Sequence, residues 1–132
     1  MATLFTKIVR GEIPCYKVAE TDKFLAFLDI MPLTKGHTLV IPKEEIDYIF
    51  DLGDEVLAEM MVFAKKVAIA VESVVPCKRI GVAVVGLEVP HAHIHLIPIE
   101  GIGDMNFGNA RVKLSKETFE SLAKEIQAKM GA

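Results

Sequence analysis

Apolar residues recur every three or four positions through residues 51–73, a spacing that predicts the longest helix of the chain. This apolar face is formed by Val56, Leu57, Met60, Phe63, Ala64, Val67, Ala68 and Val71. Asp51 or Asp54 is the expected N-cap, and Pro76 prevents the helix from continuing far.

Two further helices are predicted near the ends of the chain. Residues 4–10 should form one or two turns, with Thr3 as the N-cap and Gly11 as the stop. A C-terminal helix should begin near the cap Ser115 and carry an apolar face of Phe119, Leu122 and Ile126.

Between the helices, short apolar segments bounded by turn residues predict strands. They cover residues 15–19, 23–30, 37–41, 79–85 and 91–97. The turn at residues 20–22 makes the first two a hairpin, residues 31–36 form a loop, and residues 100–111 form a loop expected near the site. The pattern predicts a single α+β domain over residues 1–132, with an antiparallel sheet of about five strands, a long central helix and a C-terminal helix.

Composition and charge narrow the function. The chain has 132 residues, of which 52% are hydrophobic and 25% charged, as in a globular domain. Its net charge of −3 argues against nucleic-acid binding, which needs clustered Lys and Arg, although a single nucleotide needs only a few local donors. No segment resembles a signal peptide or a membrane span, and Cys15 and Cys77 are expected to be free thiols. We therefore expect a cytoplasmic protein without a membrane partner.

The histidines are the most informative polar residues. Three of the four in the chain are His91, His93 and His95, with Ala92 and Ile94 between them. Because successive side chains of a strand point to opposite faces, the three imidazoles should share one face. Each ring has a donor and an acceptor that must be satisfied, so such a row is a poor choice for simple packing.

The spacing alone leaves three interpretations open. Imidazoles two residues apart on a strand can bind one metal ion. One imidazole can instead act as a nucleophile while its neighbours orient it and handle protons. The third interpretation is a solvated, pH-sensitive strand without catalytic chemistry.

The segment from His91 to Ile97, His-Ala-His-Ile-His-Leu-Ile, resembles the His-φ-His-φ-His-φ-φ signature of the histidine-triad (HIT) family, where φ is apolar. Residues 5–14, 25–30 and 36–43 also resemble the Hint branch of that family, both in residue types and in the order of the blocks. The resemblance covers roughly residues 3–98.

The resemblance implies a role for each matching residue. His93 would be the nucleophile that forms a covalent nucleotidyl-histidine, and His95 would contact the phosphate. His91 and His37 would lie behind the nucleophile and set its tautomer and orientation. Asp29 would bind the ribose hydroxyls. The apolar wall around the base would be Phe5, Ile13, Ile30 and Leu39.

The chain departs from the family at a structural zinc site. Many relatives have a Cys-x-x-Cys pair and a further histidine that bind zinc together with a triad histidine. Thr3, Thr6 and Glu45 occupy those positions here, and two hydroxyls with a carboxylate do not replace two thiolates and an imidazole. We predict no structural zinc, no metal at the triad and no cofactor.

A second departure lies in the loop before the triad. Gly86 keeps the family's glycine, but Leu87 replaces a Gln and Glu88 replaces a hydroxyl residue, so donors to the phosphate are missing. Glu88 should either turn to solvent or act on a substrate with a cationic leaving group.

These features predict a nucleotide hydrolase or transferase that cleaves P–N or phosphoanhydride bonds, with purine nucleoside monophosphate derivatives such as adenosine 5′-phosphoramidates as substrates. The alternatives are a nucleotide-binding regulatory module with weak or no turnover, and a metalloenzyme that uses the three histidines. By resemblance to the family, a homodimer is expected.

Overall fold

The computed structural model describes residues 2–131 and contains three α-helices and five strands in that range. The helices are α1 (Leu4–Val9), α2 (Asp54–Val74) and α3 (Lys116–Met130). The strands are β1 (Lys17–Glu20), β2 (Phe24–Leu28), β3 (Thr38–Pro42), β4 (Arg79–Ala83) and β5 (Ile94–Ile99). Single 3₁₀ turns cover Ile49–Asp51 and Ile102–Met105.

The strands form one sheet in the order β1-β2-β3-β5-β4, and every neighbouring pair is antiparallel. β3 and β5 lie side by side although the long helix α2 separates them in sequence, so the connection through α2 crosses one face of the sheet. The predicted α+β fold with a five-stranded antiparallel sheet is confirmed.

The two faces of the sheet have different coverings. One face, which includes Val40, Ile94 and Leu96, packs with residues of α2 and α3 in the main core. The opposite face carries a smaller apolar cluster in which Phe5 of α1 packs with Leu39 and other residues of β2 and β3. Because His95 lies directly opposite Leu39 in the β3–β5 register, the histidines belong to this second face.

The predicted N-caps of α1 and α3 are confirmed, whereas the predicted N-cap of α2 was wrong. Thr3 accepts a hydrogen bond from the Thr6 amide, and Ser115 accepts one from the Thr118 amide. The N-cap of α2 is Gly53, which makes no side-chain bond, because Asp51 belongs to the preceding 3₁₀ turn. Asp54 is already inside the first helical turn, where its charge favours the positive end of the helix dipole.

The prediction for the last strand was also wrong at its start. β5 begins at Ile94, so His91 and His93 precede the ladder. The reason lies in β3: Pro42 has no amide proton to donate, and its carbonyl oxygen accepts a bond from the side chain of His91 instead. β4 likewise ends at Ala83, its last residue paired with β5.

Cys15 and Cys77 are both free and partly buried. Within residues 2–131, no helix combines the length and the apolarity that crossing a membrane requires.

Candidate active site around three histidines

A cavity of about 390 Å³ opens on the face of the sheet that α1 partly covers. His93, His95 and Asp29 line its polar side. The four residues predicted to form an apolar wall all line it as well: Phe5, Ile13, Ile30 and Leu39. Ile30 is 69% exposed and sits at the rim, whereas Phe5 and Leu39 are buried at the base. His91 and His37 are fully buried and lie outside the lining.

Hydrogen bonding determines the tautomer of His93. Its Nδ1 lies 2.7 Å from the main-chain oxygen of His91, and a carbonyl oxygen only accepts, so Nδ1 carries the proton. The lone pair of the ring is therefore on Nε2. No buried side-chain nitrogen or oxygen in residues 2–131 lacks a partner, so Nε2, which has none, reaches the cavity surface. The edge of the Phe5 ring meets His93 with centroids 5.0 Å apart and limits its rotation.

A second chain of bonds determines the tautomer of His95. The Leu33 amide donates to Nδ1 of His37 at 3.0 Å, which leaves the His37 proton on Nε2. That Nε2–H donates to Nδ1 of His95 at 2.9 Å, so His95 carries its own proton on Nε2. The cavity is thus lined by a lone pair from His93 and an N–H donor from His95.

His91 is held directly by groups from two other parts of the chain, and Glu45 supports one of them. Its Nε2–H donates to the carbonyl oxygen of Pro42 at 2.8 Å, and its Nδ1 lies 3.0 Å from the Thr3 hydroxyl, which donates to it. The hydroxyl of Thr6 donates to Oε1 of Glu45 at 2.6 Å, and the Thr3 amide donates to the same oxygen at 2.8 Å. We call Thr3, Thr6, Glu45 and His91 the threonine cluster.

The threonine cluster occupies the positions at which the resemblance implies zinc ligands. The side chains do converge, but their hydrogen bonds satisfy one another, and the set offers two neutral hydroxyls in place of thiolates. Structural zinc sites use Cys and His ligands almost throughout, so these residues do not fit the ion.

Burial keeps the rings of His37, His93 and His95 neutral. It lowers the pKa of His37 to about 3, with help from the neighbouring His95 and Arg111. Burial also lowers the pKa of His95 to about 4, again assisted by His93 and Arg111. The pKa of His93 is lowered for the same reason, although its bond to the His91 carbonyl opposes the shift. At neutral pH the His93 lone pair is therefore available for attack.

Asp29 lies at the mouth of the same polar side. Its Oδ1 accepts from the Met31 amide at 2.8 Å, and its Oδ2 is 3.6 Å from Nε2 of His37. Burial raises the pKa of its carboxyl group, whereas the Met31 bond and the charge of Arg111 lower it. The carboxylate is partly exposed and can accept hydrogen bonds from a molecule in the cavity.

Asp29, His37 and His95 each bring one donor atom within 4.8 Å of the others. The two imidazole nitrogens, however, are 2.9 Å apart and share a proton. Two nitrogens bound to one tetrahedral zinc would lie about 3.3 Å apart, since each Zn–N bond is about 2.0–2.1 Å. The geometry fits a hydrogen bond, which a metal ion would have to break.

Among the polar and aromatic residues at the site, Phe107 and Arg111 were not predicted from the sequence, and Glu88 was predicted either to turn to solvent or to act on the substrate. Glu88 is exposed yet lines the cavity; its charge adds to the raised pKa of Asp29 and partly opposes the lowering of the His93 pKa by burial. Phe107 packs its ring edge against His95, with centroids 4.8 Å apart. Arg111 also lines the cavity. Phe107 and Arg111 come from a loop without periodicity, where a lone Arg among Gly and Asn was the only available signal.

Comparison with known proteins agrees with this geometry. The HIT domain family matches residues 10–101. The chain belongs to the HIT family. The resemblance inferred from the triad and the upstream blocks is thereby confirmed.

Individual HIT proteins match over nearly the whole chain. Adenosine 5′-monophosphoramidase hnt1 of Schizosaccharomyces pombe is 41% identical over 134 residues, which cover 98% of this chain and 99% of the relative. A Hit-like protein of Bartonella henselae, described as involved in cell-cycle regulation, superimposes with a TM-score of 0.82 at 34% identity and covers 96% of this chain and 95% of its own.

A Zn-bound HIT protein of Mycobacterium smegmatis superimposes with a TM-score of 0.81 at 27% identity, over 99% of this chain and 94% of its own.

Proposed function

We propose that the protein is a nucleotide phosphoramidase that acts through a nucleotidyl group on His93. The observation that carries the proposal is the hydrogen bond from His93 Nδ1 to the His91 carbonyl, which leaves the Nε2 lone pair facing a cavity of nucleotide size. The S. pombe relative is an adenosine 5′-monophosphoramidase, which supports adenosine 5′-phosphoramidates as the first substrates to test.

In the first step His93 Nε2 attacks phosphorus and the P–N bond breaks. The leaving nitrogen takes the electron pair of that bond and one proton from water, and departs as an amine. The His93 ring becomes positively charged, and the His91 carbonyl stabilises it by accepting from Nδ1–H. The Nε2–H of His95 donates to a phosphoryl oxygen as negative charge develops there.

In the second step water attacks the same phosphorus and the P–Nε2 bond breaks. Its electron pair returns to His93, and the nucleoside monophosphate is released. The proton that water loses balances the one the amine took up, so the net reaction consumes one water.

The remaining cavity residues fit the nucleoside. Asp29 accepts hydrogen bonds from the two ribose hydroxyls, which selects a ribonucleoside. The wall formed by Phe5, Ile13, Ile30 and Leu39 contacts the base, and its largely apolar surface suits a purine. We also propose that the protein works in the cytoplasm as a homodimer.

The experiment is intact-protein mass spectrometry after brief exposure to adenosine 5′-phosphoramidate. Wild-type protein should gain one adenylyl group, and the His93→Ala variant should gain none while still binding AMP. His95→Ala serves as the matched control, because it removes a cavity imidazole but leaves the attacking nitrogen in place, so some adduct should still form. Turnover without an adduct on His93 would contradict the proposal.

A second candidate function is a nucleotide-binding module with little turnover. Glu88 favours it, since a carboxylate at the cavity repels the phosphate that must approach His93. If this repulsion limits a working enzyme, Glu88→Gln should raise kcat/KM for phosphoramidates with neutral leaving groups. If the protein is only a binding module, Glu88→Gln should tighten AMP binding and produce no turnover above the His93→Ala background.

A further inference from the structure

The cavity contains few formal charges, and their balance is unfavourable for a phosphate. Among the described residues that line it, Asp29 and Glu88 are acidic and Arg111 is the single permanent cation. His93 and His95 also line the cavity, but their lowered pKa values leave both rings uncharged at neutral pH. An anionic substrate therefore meets two carboxylates and one guanidinium.

Arg111 is positioned by the loop that covers His95. Its Nη1 donates to the carbonyl oxygen of Met31 at 3.0 Å, and its Nη2 donates to that of Phe107 at 3.2 Å. The guanidinium also stands 5.9 Å from the centre of the Phe107 ring, whose edge packs against His95. The Val112 amide donates to the Pro32 carbonyl oxygen at 2.9 Å and fixes the following residue.

The guanidinium retains donors for a ligand. Arginine has five N–H groups, and two of them are used by the bonds to Met31 and Phe107. The other three have no hydrogen-bond partner among residues 2–131. A half-buried guanidinium held by two carbonyl oxygens is pre-oriented, so it loses little side-chain entropy when it binds a further acceptor.

The loop before the triad does not supply such donors. Leu87 is 89% exposed and apolar, and Glu88 offers only acceptor oxygens when ionised. A phosphate in front of His93 would therefore find His95 and Arg111 as its side-chain donors in the cavity.

From this placement we propose that Arg111 binds the non-bridging oxygens of the reacting phosphate, a role that the side chains at positions 87 and 88 cannot fill. The inference rests on the proposed function and adds a specificity-determining residue to it. A guanidinium can donate to two phosphate oxygens at once. This interaction becomes more favourable as negative charge accumulates on those oxygens during the attack by His93.

The test is to measure by calorimetry the binding of AMP and of adenosine, which differ by the phosphate alone. For Arg111→Gln, AMP affinity should fall at least tenfold while adenosine affinity stays within twofold of wild type. Arg111→Lys should recover part of the AMP affinity, because it restores the charge without the paired donors. Lys113→Gln is the matched control, since it removes one exposed positive charge two residues away and should change neither affinity.

The other outcomes overturn the inference. An equal loss of AMP and adenosine affinity in Arg111→Gln would show that Arg111 only holds the loop to Met31 and Phe107. Unchanged AMP affinity would show that the guanidinium does not contact the phosphate. If Arg111→Gln fails to fold, the comparison is made with Arg111→Lys, where a loss of less than twofold for AMP rejects the proposal.

The proposed function is judged separately by the wild-type protein. Wild-type protein that forms the His93 adduct while Arg111→Gln binds AMP normally would reject this inference alone. Wild-type protein that binds no AMP would reject both.

Discussion

Nδ1 of His93 donates to the main-chain oxygen of His91 across 2.7 Å, so one member of the triad sets the proton position of the next through its backbone. The side chain of His91 meanwhile faces away from the cavity and bonds to Pro42 and Thr3. The row of histidines is therefore not three equivalent rings. The central ring presents a lone pair, the last presents an N–H, and the first is a buried support.

His37 should affect the reaction through the proton on His95. His37→Leu removes the donor to His95 Nδ1, so His95 can adopt the tautomer that has no N–H towards the cavity. We expect kcat for adenosine 5′-phosphoramidate to fall about 10–100-fold, as it does when a metal-binding histidine loses the partner that orients it. His37→Gln, whose amide can still donate to Nδ1, should recover much of the rate.

The comparison of these two variants separates positioning from packing. AMP affinity should stay within a few-fold of wild type in both, because His37 does not line the cavity. Equal kcat values for His37→Leu and His37→Gln would show that the ring only fills space.

The sequence predicted which side chains of the triad share a face better than it predicted where strand β5 begins. Alternation correctly placed His93 and His95 on one face with Ile94 on the other. It could not show that the ladder starts at Ile94, because that depends on Pro42 and on a side-chain bond across the sheet. Phe107 and Arg111 could not be assigned either, since an aperiodic loop reaches the cavity only through tertiary contacts with His95 and Met31.

His37 and His95 should make the free energy of unfolding depend on pH. Their pKa values are lowered in the folded protein, to about 3 for His37 and about 4 for His95. In the unfolded chain both have the ordinary histidine pKa of about 6.5, so below pH 6.5 the unfolded chain binds more protons than the folded protein. The free energy of unfolding should therefore be at its maximum above pH 6.5. It should decline as the pH falls below 6.5, by up to about 1.4 kcal/mol per pH unit for each histidine.

Urea unfolding between pH 5 and 8 measures this dependence. The range stays above the acid region in which Glu20, with its pKa lowered to about 2 by Lys17 and Lys43, loses its own contribution. His37→Gln should reduce the slope of the free energy of unfolding against pH, because one fewer histidine takes up a proton on unfolding. A wild-type stability that stays constant from pH 8 down to pH 5 would contradict the buried, neutral state of these rings.

The proposed homodimer should form through the free edge of β4. This edge carries Val82, which is 52% exposed, whereas the opposite edge strand β1 is charged at Lys17 and Glu20 and interrupted by a bulge. Charges and bulges protect a sheet edge from pairing, and β4 has no bulge and a single charged residue, Arg79 at its start. Val82→Glu should therefore shift the protein to a monomer in light scattering. Val62→Glu is the matched control: that residue is 55% exposed but lies beside Lys23 and Phe24, far from β4 in the strand order. A Val82→Glu protein that elutes at the wild-type mass would place the interface elsewhere or exclude a dimer.

The threonine cluster should become a zinc site when the missing ligands are restored. Thr3, Thr6 and Glu45 already converge on His91 Nδ1, with the Thr3 and Thr6 hydroxyls 3.0 and 3.4 Å from that nitrogen. The triple variant Thr3→Cys, Thr6→Cys, Glu45→His supplies two thiolates and an imidazole beside His91, a tetrahedral donor set for zinc. It should bind one equivalent of zinc by elemental analysis, and its Tm should fall when a chelator removes the ion, because metal binding contributes to folding.

The variant Thr3→Ser, Thr6→Ser, Glu45→His has the imidazole without the thiolates and should behave like wild type, with no zinc and no effect of chelator on Tm. If the triple variant holds no more zinc than that control, the four positions do not form a tetrahedral site, and the match between the threonine cluster and the zinc ligands of relatives is only one of sequence position.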